Sequence, residues 1–216
     1  MLAMPFESAT PSIVRSVKQR DLLNTWLRLR CSFGALPPVA EYNPARLEDE
    51  LKDIVYYLVK REGARFQFII DSNGSRLSQA YGMNGGNHVG TELRDYVGPR
   101  LIHLVLPIYE ECASRALPTY SISMIDDVNG RAVAYERLLL PFSSGDGVSH
   151  IVASLKTISE DGKFEINNLL RDPNKLPEYR LRAVIDRELI VSQASRDSRN
   201  PSCDFPAPIA GDVVEI

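Results

Sequence analysis

The chain has 216 residues, 44% of them hydrophobic and 25% charged, with a formal net charge of −3. This composition supports one substantial core and is too apolar for a wholly disordered chain. A sequence pI near 5.7 lacks the excess of Lys and Arg that drives non-specific nucleic-acid binding. No stretch reaches the roughly 20 uncharged apolar residues of a membrane span, and Met1 to Pro11 lacks the order of a secretory signal. Cys31, Cys112 and Cys203 are an odd number at wide spacings, the pattern of a reducing compartment. A cytoplasmic protein is the expectation.

Residues 1–11 read as a flexible N-terminus. A helix is predicted from Ser12 to Cys31, its stripe formed by Leu22, Trp26, Leu29 and Phe33 at i, i+4, i+7 and i+11. Arg20, Asn24 and Arg28 lie mostly off that stripe, so the helix is amphipathic. Two outcomes are open for it: docking on its own sheet, or contact with a protein partner or a second copy. Gly34 and Pro37-Pro38 end it, and Asn43-Pro44 opens a short helical turn.

Ile54 to Lys60 and Arg65 to Asp71 are rich in β-branched and aromatic residues and read as an antiparallel hairpin. Five glycines between Gly74 and Gly90 break the next segment into short turns, with no phosphate-loop motif. A second helix is predicted from Val97 to Ala116, kinked where Pro107 cannot donate to the carbonyl of His103. Three meandering strands follow at Pro118 to Asp126, Arg131 to Phe142 and Gly147 to Ser159, punctuated by Asn129-Gly130 and Ser144-Gly145-Asp146-Gly147. The expected class is α+β: a five-stranded antiparallel sheet with helices inserted after strand two and an N-terminal amphipathic helix. Residues 12–160 form this domain and 161–191 an extension packed on or beside it. Within the extension, Tyr179 to Val191 fits either helix or strand. Ser192 to Ile216 has few large residues and reads as a disordered tail.

The order of these elements resembles bacterial PAS-type sensory domains, and more closely a compact family with an N-terminal helix ahead of the PAS core. The resemblance rests on Leu22–Trp26–Leu29, Leu36-Pro37, Asn43-Pro44 with Leu47, Arg65-Phe66-Gln67-Phe68 and Gly90-Thr91-Glu92-Leu93. Its most specific part is Glu136-Arg137-Leu138-Leu139-Leu140-Pro141-Phe142, followed by Ile151-Val152-Ala153. It covers about residues 16 to 158. One departure is Ile69-Ile70, where such proteins usually carry an Arg. The resemblance implies a sensory or regulatory module that binds a small molecule or a partner and signals through protein contact, without fixing the ligand.

The residues themselves supply no catalytic motif. His88, His103 and His150 do not pair at metal-ligand spacing, and no metal is expected. His103 lies on the polar stripe of its helix, which disfavours a haem ligand, and no flavin-type reactive Cys motif occurs, so no cofactor is expected. The carboxylate pairs Glu110-Glu111 and Asp126-Asp127 read as solvated surface. Candidates to line a ligand pocket are Phe66, Phe68, Leu104, Tyr120, Ile122, Leu138 and Leu140, with Tyr120 as the polar anchor. The alternative is a small-molecule enzyme or carrier using the same cavity.

Overall fold

A computed structural model of the chain describes residues 4–44, 51–82, 87–145, 147–159, 163–170, 172 and 174–187. In chain order the strands are β1 (Glu7–Ala9), β2 (Ile54–Glu62), β3 (Arg65–Asn73), β4 (Thr119–Asp126), β5 (Ala132–Phe142), β6 (His150–Ser159) and β7 (Glu178–Ile185). The helices are α1 (Val17–Phe33), α2 (Ser75–Ala80), α3 (Leu93–Val97) and α4 (Ile102–Arg115). The strands form one sheet in the order β1-β7-β4-β5-β6-β2-β3.

This corrects the expected PAS-like five-stranded antiparallel sheet. The sheet has seven strands and is mixed, because β1 runs parallel to β7 with Glu7 opposite Ala183. β7 is the segment whose type was open at the sequence level, and it pairs antiparallel with β4. Glu7–Ala9, within the expected flexible N-terminus, is a three-residue edge strand. Nor do the inserted helices follow the second strand: α2 to α4 come after β3, the third in chain order, and cover one side of the sheet while α1 covers the other. The helix expected from Val97 to Ala116 begins only at Ile102, and Val97 instead closes the separate short helix α3. Gly98, at φ 77°, ends α3, and Pro99 disfavours helical geometry in the residue before it. The predicted disordered tail, 192–216, lies outside the described residues, as do Leu47 and the glycines Gly85 and Gly86.

α1 begins where the Ser16 side chain accepts from the N–H of Gln19 and ends at Gly34, whose φ of 69° closes it left-handed. Beneath it lie Ile54, Tyr120, Ile122, Leu138, Leu140, Phe142 and Val152. Trp26 is wholly buried there and its indole N–H donates to the Pro141 carbonyl at 2.7 Å. Gln19 Nε2 donates to the Ser154 carbonyl at 3.0 Å, and Tyr42 Oη to the Leu22 carbonyl at 3.1 Å. A buried ion pair, Lys156 Nζ to Asp53 Oδ2 at 2.5 Å, lies on the same side.

Between β6 and β7 the described residues 163–170, 172 and 174–175 form a strap on the other face. Its backbone N–H groups at Asn168 and Leu170 donate to the carbonyls of Gln79 and Ala80, at the end of α2. Arg100 donates to the carbonyls of Leu170 and Lys175. Asp127, read from the sequence as surface, is buried instead. Its carboxylate accepts from the N–H groups of Asn129, Arg131 and Glu165, joining the β4–β5 turn to the strap. These bonds hold its carboxyl below the usual range, with the Glu165 N–H the largest cause. No helix among the described residues is long and apolar enough to cross a membrane.

Candidate functional site

Successive side chains of a strand point to opposite faces, and this parity divides the seven sequence candidates. Tyr120, Ile122, Leu138 and Leu140 are packed under α1. Phe66, Phe68 and Leu104 lie on the opposite side, with Phe68 buried and the other two half-buried. The structure therefore does not bring the seven together around one cavity. Tyr120 is engaged within the protein: its hydroxyl accepts from the Arg15 N–H at 3.3 Å. Burial, the largest influence, pushes that phenol well up, and the nearby Glu136 carboxylate adds to it. Of the helix stripe, Leu22 and Trp26 are buried against the sheet, Leu29 is half-buried, and Phe33 remains 50% exposed. His103 is exposed on α4, while His88 is half-buried with its ring 5.0 Å from that of Tyr96. Among the described residues no group of three potential metal ligands forms.

The chemistry that does converge was missed at the sequence level. β5 places Val133, Tyr135, Arg137 and Leu139 on the face covered by α2 to α4. Arg137 is 4% exposed. Lining one small void with it are Tyr57 from β2, Tyr109 from α4, Tyr135 from its own strand, and Tyr81 and Tyr96 from the α2–α3 region, and Tyr179 of β7 also acts on the guanidinium. The guanidinium carbon lies 5.3 Å from the Tyr135 ring centre and 5.8 Å from that of Tyr109. Tyr57 and Tyr109 meet edge to face at 5.1 Å, and Tyr109 Oη donates to Tyr57 Oη at 3.4 Å. Tyr81 and Tyr96 pack at 5.1 Å.

No carboxylate among the described residues pairs with Arg137. Its sequence neighbour Glu136 projects through the other side of the sheet, opposite Lys156 in the β5–β6 register. Arg137 Nε and Tyr135 Oη are buried without a hydrogen bond of good geometry, although the Arg137 guanidinium lies close enough to the Tyr135 phenol to hold it down by hydrogen bonding. Burial alone would push the guanidinium down, but the phenol groups around it, Tyr135 first, hold it well above its ordinary value. The tyrosines are shifted up by the same burial, Tyr109 to about 12 with Arg137 partly opposing, and Tyr96 to about 12. At neutral pH the site is thus a fixed cation walled by neutral phenols. An unpaired buried charge costs several kcal/mol, and cation–π contacts return only about 2 kcal/mol when desolvated.

Two spaces adjoin at this point. A void of about 10 Å³, close to the size of one water, is bounded by Arg137, Tyr57, Tyr109, Val105 and Leu155. A surface cleft of about 350 Å³ runs along Gly98, Pro99, Arg100 and Leu170. Tyr81, Tyr96 and Val97 line both. The sequence held one signal for this site: an Arg at strand parity with Tyr135, immediately before the run Leu138-Leu139-Leu140. No protein-family model matches the chain, and no curated protein matches it.

Proposed function

We propose that the chain is a cytoplasmic regulatory module of the PAS sensory type, carried on its own mixed sheet, that takes a small ligand on the face covered by α2 to α4. The observation that carries this reading is the juxtaposition at Tyr81 and Tyr96. Two rings and Val97 separate an open cleft from a buried, uncompensated cation. A packed core has no use for such a charge, whereas a binding site does. The resemblance over residues 16 to 158 supports the same reading.

The route outward starts at the same rings. Tyr81 follows directly on Ala80, whose carbonyl holds the Leu170 N–H of the strap. Lys175, further along, donates from Nζ to the Asp127 carbonyl at 2.6 Å, and the strap then enters β7. A ligand that displaces Tyr81 therefore pulls on β7 and on β1 beside it, and a protein partner reads that edge.

Native mass spectrometry of the purified chain, compared with its denatured mass, tests the reading. A Val97→Trp variant fills the floor shared by cleft and void. The expected result is a non-covalent small-molecule adduct in the natural chain and none in the variant. A bare mass in both, even after incubation with a cell extract, overturns the proposal. Turnover of a bound compound would instead support a catalytic use of the same cleft.

A further inference from the structure

Resting on the ligand-binding reading above, we infer that the ligand is a small monocarboxylate with an apolar body, its carboxylate seated on Arg137 and its body directed toward the cleft. The charge count selects a monoanion. Arg137 is the one cation lining the void, so a dianionic phosphate would leave a second charge buried without a partner. The shape of the donor set selects a carboxylate. A guanidinium presents a planar fork that two carboxylate oxygens match side by side. Nε, without a well-aligned partner here, belongs to that fork, and the Tyr135 O–H, close to the guanidinium and without an acceptor, supplies a further donor to an anion in the same space.

The walls select the body. Beyond the guanidinium the void is bounded by tyrosine rings and by Leu93, Val97, Val105 and Leu155, which offer mainly dispersion contact, the tyrosine hydroxyls being the polar exceptions. The cleft continues along Pro99 and Leu101, with Asp95 and Arg100 also lining it. Arg100 is tied to the strap carbonyls of Leu170 and Lys175. The second cation near the ligand path keeps its charge, but two of its donors are already engaged by the protein. The void holds about 10 Å³, too little for a carboxylate, so binding requires the Tyr81 and Tyr96 rings to swing toward the cleft. Entry and signal are then the same movement.

The probes are benzoate and hexanoate, with benzamide and hexanol as neutral counterparts and benzylamine as the cation. Each is titrated into the full chain after exhaustive dialysis, with melting temperature and calorimetric binding as readouts. The carboxylates are expected to bind and raise the melting temperature as ligands of the folded state do, while neutral and cationic probes do not. Arg137→Met should weaken carboxylate binding by about 100-fold or more. The same variant should melt higher than the natural chain without ligand, since it removes an unpaired buried charge. Tyr135→Phe keeps the ring and should weaken binding several-fold, which keeps the test open if Arg137→Met folds poorly. Carboxylate binding that survives both substitutions overturns the inference. So does a neutral or cationic probe that binds and is blocked by Val97→Trp, although that outcome preserves the ligand-binding reading. If no probe of any charge binds and the isolated chain carries no adduct, both fail.

Discussion

Trp26 and Arg137 occupy comparable depths on opposite sides of one sheet and have opposite energetic consequences. Trp26 fills its site and satisfies its single donor on the Pro141 carbonyl. Trp26→Ala should therefore cost about 3–5 kcal/mol, read as a lower urea midpoint with unchanged slope. Arg137 instead brings an unmet donor, Nε, into the core. The tyrosines around it make a second residue-scale prediction. Tyr96 and Tyr109 are pushed up to about 12, above the value near 10 of an unfolded chain. Between those values the unfolded chain has released protons that the folded chain keeps. Stability is thus whole below pH ~10 and falls as pH rises through the folded values. Phenolate absorbance should lag the free-tyrosine curve and then rise together with loss of the near-ultraviolet signal. Independent titration of these tyrosines near pH 10 in a chain that stays folded would contradict the burial described.

At the scale of elements, the central strands were legible because β-branched and aromatic runs alternate with strong turn signals. Their facing was not. β5 is buried along nearly its whole length, and β6 over most of its own. A strand covered on both sides shows no apolar–polar alternation from which to read parity. One residue of register moves every side chain to the other face, which is how Tyr120 and Leu138 were grouped with Phe68. β7 was ambiguous for a related reason: Leu181, Val184, Ile185 and Leu189 fit a helical period, and only pairing with β4 settles the matter. β1 has three residues, too few for any periodic signal, and depends on its neighbours. Arg182 lies 4.0 Å from the Phe6 ring centre and donates to the Met4 carbonyl at 2.8 Å. Removing residues 1–9 should leave the fold standing but speed hydrogen exchange across 181–185. Unchanged protection there would show that β1 adds nothing to β7.

For the whole molecule, the sheet needs both of its layers. A sheet with two apolar faces must bury both, and α1, with Val14 before it and Tyr42 after it, covers the face that carries Tyr120, Leu138, Phe142 and Val152. Deleting residues 1–33 should therefore give an aggregating or molten chain, with far-ultraviolet dichroism retained and near-ultraviolet dichroism lost. A well-folded monomer after that deletion would free α1 for a partner and restore the interaction-helix reading of Leu22, Trp26, Leu29 and Phe33. The sequence could not decide between these fates for α1, because an amphipathic stripe looks the same whether it meets its own sheet or another chain.

The two outer strands carry a last consequence. β1 is only three residues long. The outer side of β3 is already engaged at its middle, where Ile69 bridges Glu92, the Ile70 N–H donates to the Thr91 carbonyl, and the Gly90 N–H donates to the Ile70 carbonyl. Among the described residues, pairing therefore interrupts both borders, β3 at its middle and β7 at Ala183–Ile185, which shortens the open ladder on which chains stack into fibrils or add a foreign strand. An unpaired charge in the core is thus set in a scaffold whose borders resist strand-to-strand aggregation. A complex of this protein would be held by side chains on its surface, not by an extended sheet.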